Sequence, residues 1–299
     1  GGTATRITPM ANYNTSPIWS PDSKTIAYAS NRYGNFDIFT VPAAGGASKR
    51  VTTHSAKEEP YAFSNDGKKI YYGATIADPA SNVLFPKSYM GELYAVNVDG
   101  GRPERVLATP AQAINFSRDG KRFLYQDRKG GEDDFRKHHT SSITRDLWHY
   151  NSTTCKHTQL TSWAGEDRNP IYADGDKTIY FLSERGGTYN VWSMPADNTK
   201  AAKQVTKFAT HPVRFLSMAD NGTLCFGYNG EIYTMAAGGS AKKLSVEITS
   251  DAPTNKTERL NVTGGSSTTL SPDGKQIAFI SRGEIFVTSV DYATTKQIT

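Results

Sequence analysis

Ser20-Pro21-Asp22-Ser23-Lys24, followed at once by Thr25-Ile26-Ala27-Tyr28-Ala29, is the stretch whose recurrence decides the fold. It returns as Ser271-Pro272-Asp273-Gly274-Lys275 before Gln276-Ile277-Ala278-Phe279-Ile280. Looser copies stand at Ser64-Asn65-Asp66-Gly67, Ser117-Arg118-Asp119-Gly120, Ala173-Asp174-Gly175-Asp176 and Ala219-Asp220-Asn221-Gly222. The aspartates at 22, 66, 119, 174, 220 and 273 are separated by 44, 53, 55, 46 and 53 residues. A period of about 40–50 residues built from short strands is the signature of a β-propeller. Pro21 at the second turn position, with Asp22 and Ser23 after it, suits a type I turn.

Each unit reads as four antiparallel strands. In the first these are Ser16-Pro17-Ile18-Trp19, residues 25–30, Asp37-Ile38-Phe39-Thr40-Val41 and Lys49-Arg50-Val51-Thr52. Third strands recur as Glu92-Leu93-Tyr94, Asp146-Leu147-Trp148, Asn190-Val191-Trp192, Glu231-Ile232-Tyr233 and Glu284-Ile285-Phe286. The polar residue that opens them recurs in most units, which points to a structural role. The expectation is an all-β propeller of six complete four-stranded blades in a single domain over residues 1–299. Blade limits fall near 9–52, 53–107, 108–161, 162–206, 207–245 and 246–299. The polar stretch 244–263 is expected to carry an extended loop. Gly1-Gly2-Thr3-Ala4-Thr5-Arg6-Ile7-Thr8 aligns without a gap on Gly45-Gly46-Ala47-Ser48-Lys49-Arg50-Val51-Thr52. Residues 1–8 therefore read as an outer strand. Either it belongs to a blade whose other strands precede this segment, in an intact ring of seven, or it closes a six-bladed ring by pairing with the last blade.

The 34 basic and 29 acidic residues are interleaved, and the net charge of +5 forms no stripe. Nucleic-acid binders concentrate their basic charge, so no nucleic-acid partner is expected. No apolar run reaches the length of a membrane span, so no membrane insertion is expected. Cys155 and Cys225 lie in different repeats and at different places within them, which reads as two free thiols.

Antiparallel alternation assigns loops to faces. The Ser-Pro-Asp-Gly turn and the Gly-Gly turn before the fourth strand share one face. Loops between strands two and three, and loops between blades, share the other. The long insertions at residues 75–91 and 128–145 both join strands two and three, so both rise from that second face. Binding usually resides in such loops on a rigid scaffold. Residues before each first strand line a channel mouth in this architecture. The candidates there are Glu58, Glu59, Asp167, Arg168, His211 and Arg214, joined from the insertion by Arg136, His138 and His139. Charges of both signs suit the backbone and ends of a peptide. The alternative is that they only tie blades together.

Other constellations carry less. Gly264-Gly265-Ser266-Ser267-Thr268 lacks the last glycine of a nucleophile elbow and reads as a turn. Adjacent His138 and His139 point to opposite sides of an extended chain, and no ligand pair completes a metal site. The tandem acids Asp133-Asp134, Glu58-Glu59 and Glu166-Asp167 lack the visibly divergent environments that acid–base pairs require. No catalytic residue, metal or cofactor is expected.

The repeats resemble those of TolB and of the tricorn-type serine peptidases. The resemblance rests on Pro17-Ile18-Trp19-Ser20-Pro21-Asp22, on Ala29-Ser30-Asn31-Arg32 with Gly34-Asn35-Phe36-Asp37-Ile38, and on Ser271-Pro272-Asp273-Gly274-Lys275. The stretches from Arg128-Lys129-Gly130-Gly131 to His138-His139 and Gly165-Glu166-Asp167-Arg168-Asn169-Pro170 look more like exported bacterial tricorn homologues than TolB. The resemblance implies a PDZ-like module and a serine peptidase core beyond Thr299, so no catalytic residue is carried over. It implies that this segment is a non-catalytic filter, passage or docking surface for peptides or unfolded protein. It also implies contact with downstream peptidase domains of the same chain, and a periplasmic or otherwise exported location with the cytoplasm as the alternative. Homo-oligomers stay open. Other implied readings are a TolB-like scaffold for folded partners and the cap of a prolyl-oligopeptidase-type hydrolase.

Overall fold

A computed structural model describes residues 2–8, 13–76, 90–131, 133–136, 138, 140–248, 261 and 263–299. Most of the expected insertion at 75–91, much of the stretch 244–263, and His139 lie outside the described residues. Residues 1–248 form one compact unit and residues 249–299 another.

The first unit holds five four-stranded antiparallel sheets, each running in simple sequence order. The first blade comprises Asn14–Trp19, Thr25–Ser30, Asp37–Pro42 and Lys49–Arg50, and the second Glu58–Phe63, Lys69–Ala74, Glu92–Asn97 and Glu104–Leu107. The third comprises Ala111–Phe116, Arg122–Asp127, Leu147–Asn151 and Lys156–Gln159. The fourth comprises Asp167–Ala173, Thr178–Ser183, Asn190–Pro195 and Lys203–Gln204, and the fifth Val213–Met218, Leu224–Tyr228, Glu231–Met235 and Lys242–Lys243. The second unit is a sixth sheet of the same pattern: Ser266–Leu270, Gln276–Ser281, Glu284–Ser289 and Thr295–Gln297. Gly2–Ala4 runs parallel to Val246–Ile248 within the first unit.

The repeated phrase is a turn lock. Ser20 Oγ donates to Asp22 Oδ1 at 2.6 Å, Asp22 Oδ1 also accepts from Lys24 N, and Thr25 N donates back to Ser20 Oγ. The same three bonds form at Ser64/Asp66, Ser117/Asp119 and Ser271/Asp273. The serine hydroxyl first, and the backbone amide second, hold these four carboxyls below the usual aspartate value. Ala173 and Ala219 stand at the serine position in the fourth and fifth blades and cannot make this lock.

Third strands carry the packing. Ile38, Leu93, Leu147 and Val191 are fully buried, in clusters that also draw on residues of the adjacent blade. The aromatic that follows faces an aromatic of strand two in every blade. These register pairs are Tyr28 with Phe39, Tyr72 with Tyr94, Tyr125 with Trp148, Phe181 with Trp192, Phe226 with Tyr233, and Phe279 with Phe286. Such cross-strand pairs each contribute about 0.2–1 kcal/mol and pin the register.

The polar residue opening strand three closes the blade's outer edge. Thr206 Oγ1 accepts from Val191 N at 2.9 Å and donates to Asn190 Oδ1 at 2.9 Å. Thr161 repeats this with Leu147 N and Asp146, and Thr299 with Ile285 N and Glu284.

First strands share a feature invisible in the composition. Four positions before the turn serine or alanine, the backbone enters the left-handed region at Ser16, Ala113, Asn169, Phe215 and Ser267. At each, the register slips by a bulge against strand two. The second blade has Pro60 there, whose ring fixes φ near −65°. Its bulge lies between Pro60 and Ala62 and uses no positive φ.

The Thr206 clamp yields an expectation. Thr206→Val keeps the shape but leaves Val191 N without its partner and takes one of the two donors from the buried Asn190 Oδ1, which keeps Phe208 N. It should lower unfolding stability by about 1–3 kcal/mol. Ser271→Ala, in an exposed turn lock, should cost less than about 1 kcal/mol. Urea midpoints of the two variants test the contrast.

Candidate functional site

The insertion-bearing end of the blades is assembled by one recurring tie. Glu58 N donates to Phe36 O, Asp167 N to Arg145 O, and Val213 N to Tyr189 O. In each case the first residue of one blade bonds the residue just before strand three of the blade before it. This brings the mouth of a strand two–three loop against the entry of the next first strand.

Strand alternation then separates neighbouring residues. Glu58 and Asp167 occupy the same position, six residues before the turn, and both are fully buried. The sequence reading set them on a rim; the structure places them inside. Arg185 Nη2 reaches Asp167 Oδ2 at 2.6 Å. Burial pushes the Asp167 carboxyl up, against the pull of Arg185. Burial also raises the Glu58 carboxyl from 4.5 to about 7, with Asp37 adding and Thr52 and Arg50 opposing. The next residues, Glu59, Arg168 and Arg214, take the opposite side. Glu59 Oε1 accepts from Ser16 Oγ of the first blade at 3.2 Å.

Arg168 and Arg214 meet the insertion of the third blade. Arg214 donates from Nη1 to the carbonyl of Asp134, and from Nη2 to those of Phe135 and Arg136, at 2.7–3.0 Å. Arg168 Nη1 donates to the same Asp134 carbonyl and Nη2 to the Asp134 carboxylate. Two blades thus grip one stretch of loop backbone. The loop reciprocates: Arg136 bonds Glu166 and lies 3.4 Å from Glu184, and His138 Nδ1 lies 3.3 Å from Glu184. Arg145, only 1 % exposed, bonds both Glu166 and Asp134. Glu184 Oε1 accepts from Glu166 N at 2.9 Å.

Four arginines (136, 145, 168 and 214) therefore meet three carboxylates (134, 166 and 184), and Asp133 of the same loop adds a fourth that acts on Arg214. Burial works against charge on Asp134, but Arg145 and then Arg168 hold its carboxyl below the usual value. Burial, and next the like charge of Arg168, pull Arg214 below its usual value. Its carboxylates are engaged by guanidinium groups, which do not give up their protons. It holds the loop to the fourth and fifth blades.

Of the sequence candidates, Arg136, His138, Arg168 and Arg214 converge here. Glu58, Glu59 and Asp167 lie at blade entries as described. His211 packs edge-on against Tyr228, with ring centres 5.9 Å apart. His139 lies outside the described residues. Sequence reading missed Arg145 and Glu184. Glu184 had a signal: Ser183-Glu184-Arg185 aligns with Ser30-Asn31-Arg32, so an acid replaces an amide at one loop mouth. Arg145 had none, because nothing in spacing distinguishes it from a solvated residue before strand three.

Two stability tests follow from this geometry. Glu166→Gln leaves the buried Arg145 with only the half-exposed Asp134 as counter-charge and should destabilise by up to about 3–5 kcal/mol. Asp99→Asn breaks only the exposed Lys49 pair and should cost less than about 1 kcal/mol. Glu58 makes stability depend on pH. Below its unfolded value near 4.5 both states are protonated and burial costs nothing in charge. As pH rises to about 7 the unfolded chain releases the proton first, so stability falls, by about 3 kcal/mol in all. Glu58→Gln should remove this component, so its urea midpoint should drop less than the parent's between about pH 5 and about pH 8.

Comparison with known proteins agrees with this architecture. The family described as the tricorn protease N-terminal beta propeller domain matches residues 1–241. Tricorn protease of Thermoplasma acidophilum is 25% identical over 281 residues, which cover 90% of this chain and 25% of that protein. The chain thus spans about a quarter of the length of this curated relative. An uncharacterized protein of Agrobacterium fabrum, Atu1656, is 27% identical over 88 residues, covering 29% of this chain and 26% of that protein. Among solved structures, a tricorn protease crystal structure superposes with TM-score 0.68 at 21% identity, over 97% of this chain and 28% of that one. A putative TolB from Agrobacterium tumefaciens superposes with TM-score 0.63 at 20% identity, over 79% and 82% of the two chains.

Proposed function

This chain belongs to the tricorn protease N-terminal β-propeller family, and on that premise we propose that it is a non-catalytic docking surface and filter for peptide substrate. The active centre lies elsewhere in a longer peptidase polypeptide. The observation that carries the reading is the grip of Arg168 and Arg214 on the third-blade insertion. It fixes a long loop, which in isolation would sample many conformations, onto a rigid scaffold in one arrangement. An extended peptide needs such a preset charged surface, since it loses its own freedom on binding.

The chain's net charge of +5 gives the surface a preference. Unstructured acidic peptides should bind better than basic ones of equal length. The contrast should narrow as salt rises and the Debye length falls from about 10 Å at 0.1 M to about 3 Å at 1 M. A runner-up is a TolB-like scaffold for folded partners, favoured by the match to most of a TolB chain.

Fluorescence anisotropy with labelled acidic, neutral and basic peptides, at low and high salt, separates these. Acidic peptides should bind about tenfold more tightly than basic ones at low salt, and none should be cleaved. Equal binding of all three, or binding of folded proteins alone, would overturn the reading. Cleavage that survives serine-hydrolase inactivation would place chemistry in this segment.

A further inference from the structure

The first and fourth blades each place an arginine on the same spot. Arg32 stands four residues after Tyr28, the strand-two aromatic of its register pair. Its guanidinium carbon lies 4.1 Å from the Phe39 ring centre and 5.8 Å from that of Tyr28. Its Nε donates to Ser30 Oγ at 3.2 Å and its Nη2 to the Tyr28 hydroxyl at 2.6 Å. Arg185, four residues after Phe181, lies 5.6 Å from the Phe181 ring centre and 5.8 Å from that of Trp192. Arginine suits this place because its planar cation stacks on aromatic faces.

The third blade keeps the frame without the arginine. Counted from the register pairs, Tyr125, Asp127, Trp148 and His157 stand where the first blade has Tyr28, Ser30, Phe39 and Ser48. The tyrosine hydroxyl is held alike, by His157 Nδ1 at 2.8 Å as by Ser48 Oγ at 2.7 Å. Lys129 occupies the arginine's position, and its ammonium turns to the Thr144 carbonyl at 2.8 Å and the Asp146 carboxylate at 2.6 Å. The Tyr125–Trp148 pair borders a cavity of about 280 Å³, lined by these four residues together with Thr109, Pro110 and Arg128. That is below the about 300–1,000 Å³ of sites for drug-sized ligands and suits a single side chain.

Asp127 gives the cavity its sign. Its Oδ1 accepts from Asp146 N at 2.8 Å and its Oδ2 from Trp148 Nε1 at 3.0 Å, which leaves Oδ1 a further lone pair. Lys129 lies 3.5 Å from Asp127 and is shared with Asp146, so two carboxylates answer to one ammonium. Burial pushes the Asp127 carboxyl up, by more than the Asp146 amide, Lys129 and Trp148 hold it down. Burial also pushes His157 below its usual value, so it adds no charge at neutral pH. Arg128 is the opposing charge; its Nε donates to the Gly130 carbonyl at 3.2 Å, and its charge acts also on Asp134.

We infer that this cavity is a subsite for one arginine side chain of a bound peptide. The guanidinium lies over the Tyr125–Trp148 pair and bonds Asp127, in the place that Arg32 takes in the first blade. The chain's own repeats identify the occupant, since two of them set a guanidinium on the equivalent aromatic pair. Asp127 in place of the neutral Ser30 strengthens the bond to a cation. The inference rests on the peptide-docking reading above and specifies one residue within such a peptide.

The test uses the whole 299-residue chain and labelled, end-capped acidic peptides identical except for one central Arg, citrulline or Leu. Citrulline keeps arginine's shape without its charge. Anisotropy should show the Arg peptide binding about tenfold more tightly than the other two at low salt. Asp127→Asn should remove most of that advantage, and Arg128→Gln should widen it. Lys129→Arg, which gives the third blade the arginine of the first and fourth, should fill the cavity from within and abolish it. Those two blades show that arginine at this position is compatible with the fold, and an unchanged urea midpoint would verify this. Equal binding of the Arg and citrulline peptides, or an advantage untouched by Lys129→Arg or narrowed by Arg128→Gln, would overturn the subsite while leaving peptide docking intact. Failure of every peptide to bind would overturn both.

Discussion

A four-stranded sheet has two faces and no interior, so each blade must be covered by another to have a core. That constraint runs through the first five blades. The aliphatic residue of the third strand lies in a cluster shared with a neighbour in the first four blades. The backbone bond from a blade's first residue to its predecessor's third-strand entry fixes how closely they approach. Hydrophobic burial supplies most of the stability in such contacts, but it is non-directional. The repeated backbone bond and the aromatic register pairs make the approach specific.

The same constraint explains where charge is buried. Loop mouths and blade entries are forced together, so side chains there lose water whatever their type. In the fourth blade the solution is an ion network around Glu166, saturated by Arg136, Arg145 and Arg168. At the second blade the solution is a carboxyl with a raised proton affinity, Glu58. Buried networks of this kind add little net stability over apolar packing. What they add here is position: they hold the third-blade insertion to the two blades beyond it.

Much of the fold was legible because it is written in local chemistry repeated at a period. The Ser-x-Asp turn in the four blades that keep its serine, and the third-strand aromatic in all six, do the same work in each copy. The first-strand bulge was not legible, because Ser16, Ala113, Asn169 and Phe215 share a backbone angle and no chemical property. Glu58 and Glu59 look alike in sequence; only the alternation of a strand already placed sends one inward and one outward. The pairing of Gly2–Ala4 with Val246–Ile248 joins distant segments without a shared motif. At the site, Arg168 and Arg214 were readable from their place in the repeat. Arg145 comes from the third-blade insertion, which lies outside the repeated pattern.

Pro60 has a consequence for ancestry. Chains of this kind grow by copying a module, and copies remain interchangeable while their backbones can follow the same path. Five modules still share the left-handed step. The second, with a ring locking φ where the step should be, has left that pool. A sibling's first strand put in its place would have to bring the left-handed step with it and reshape the bulge beneath.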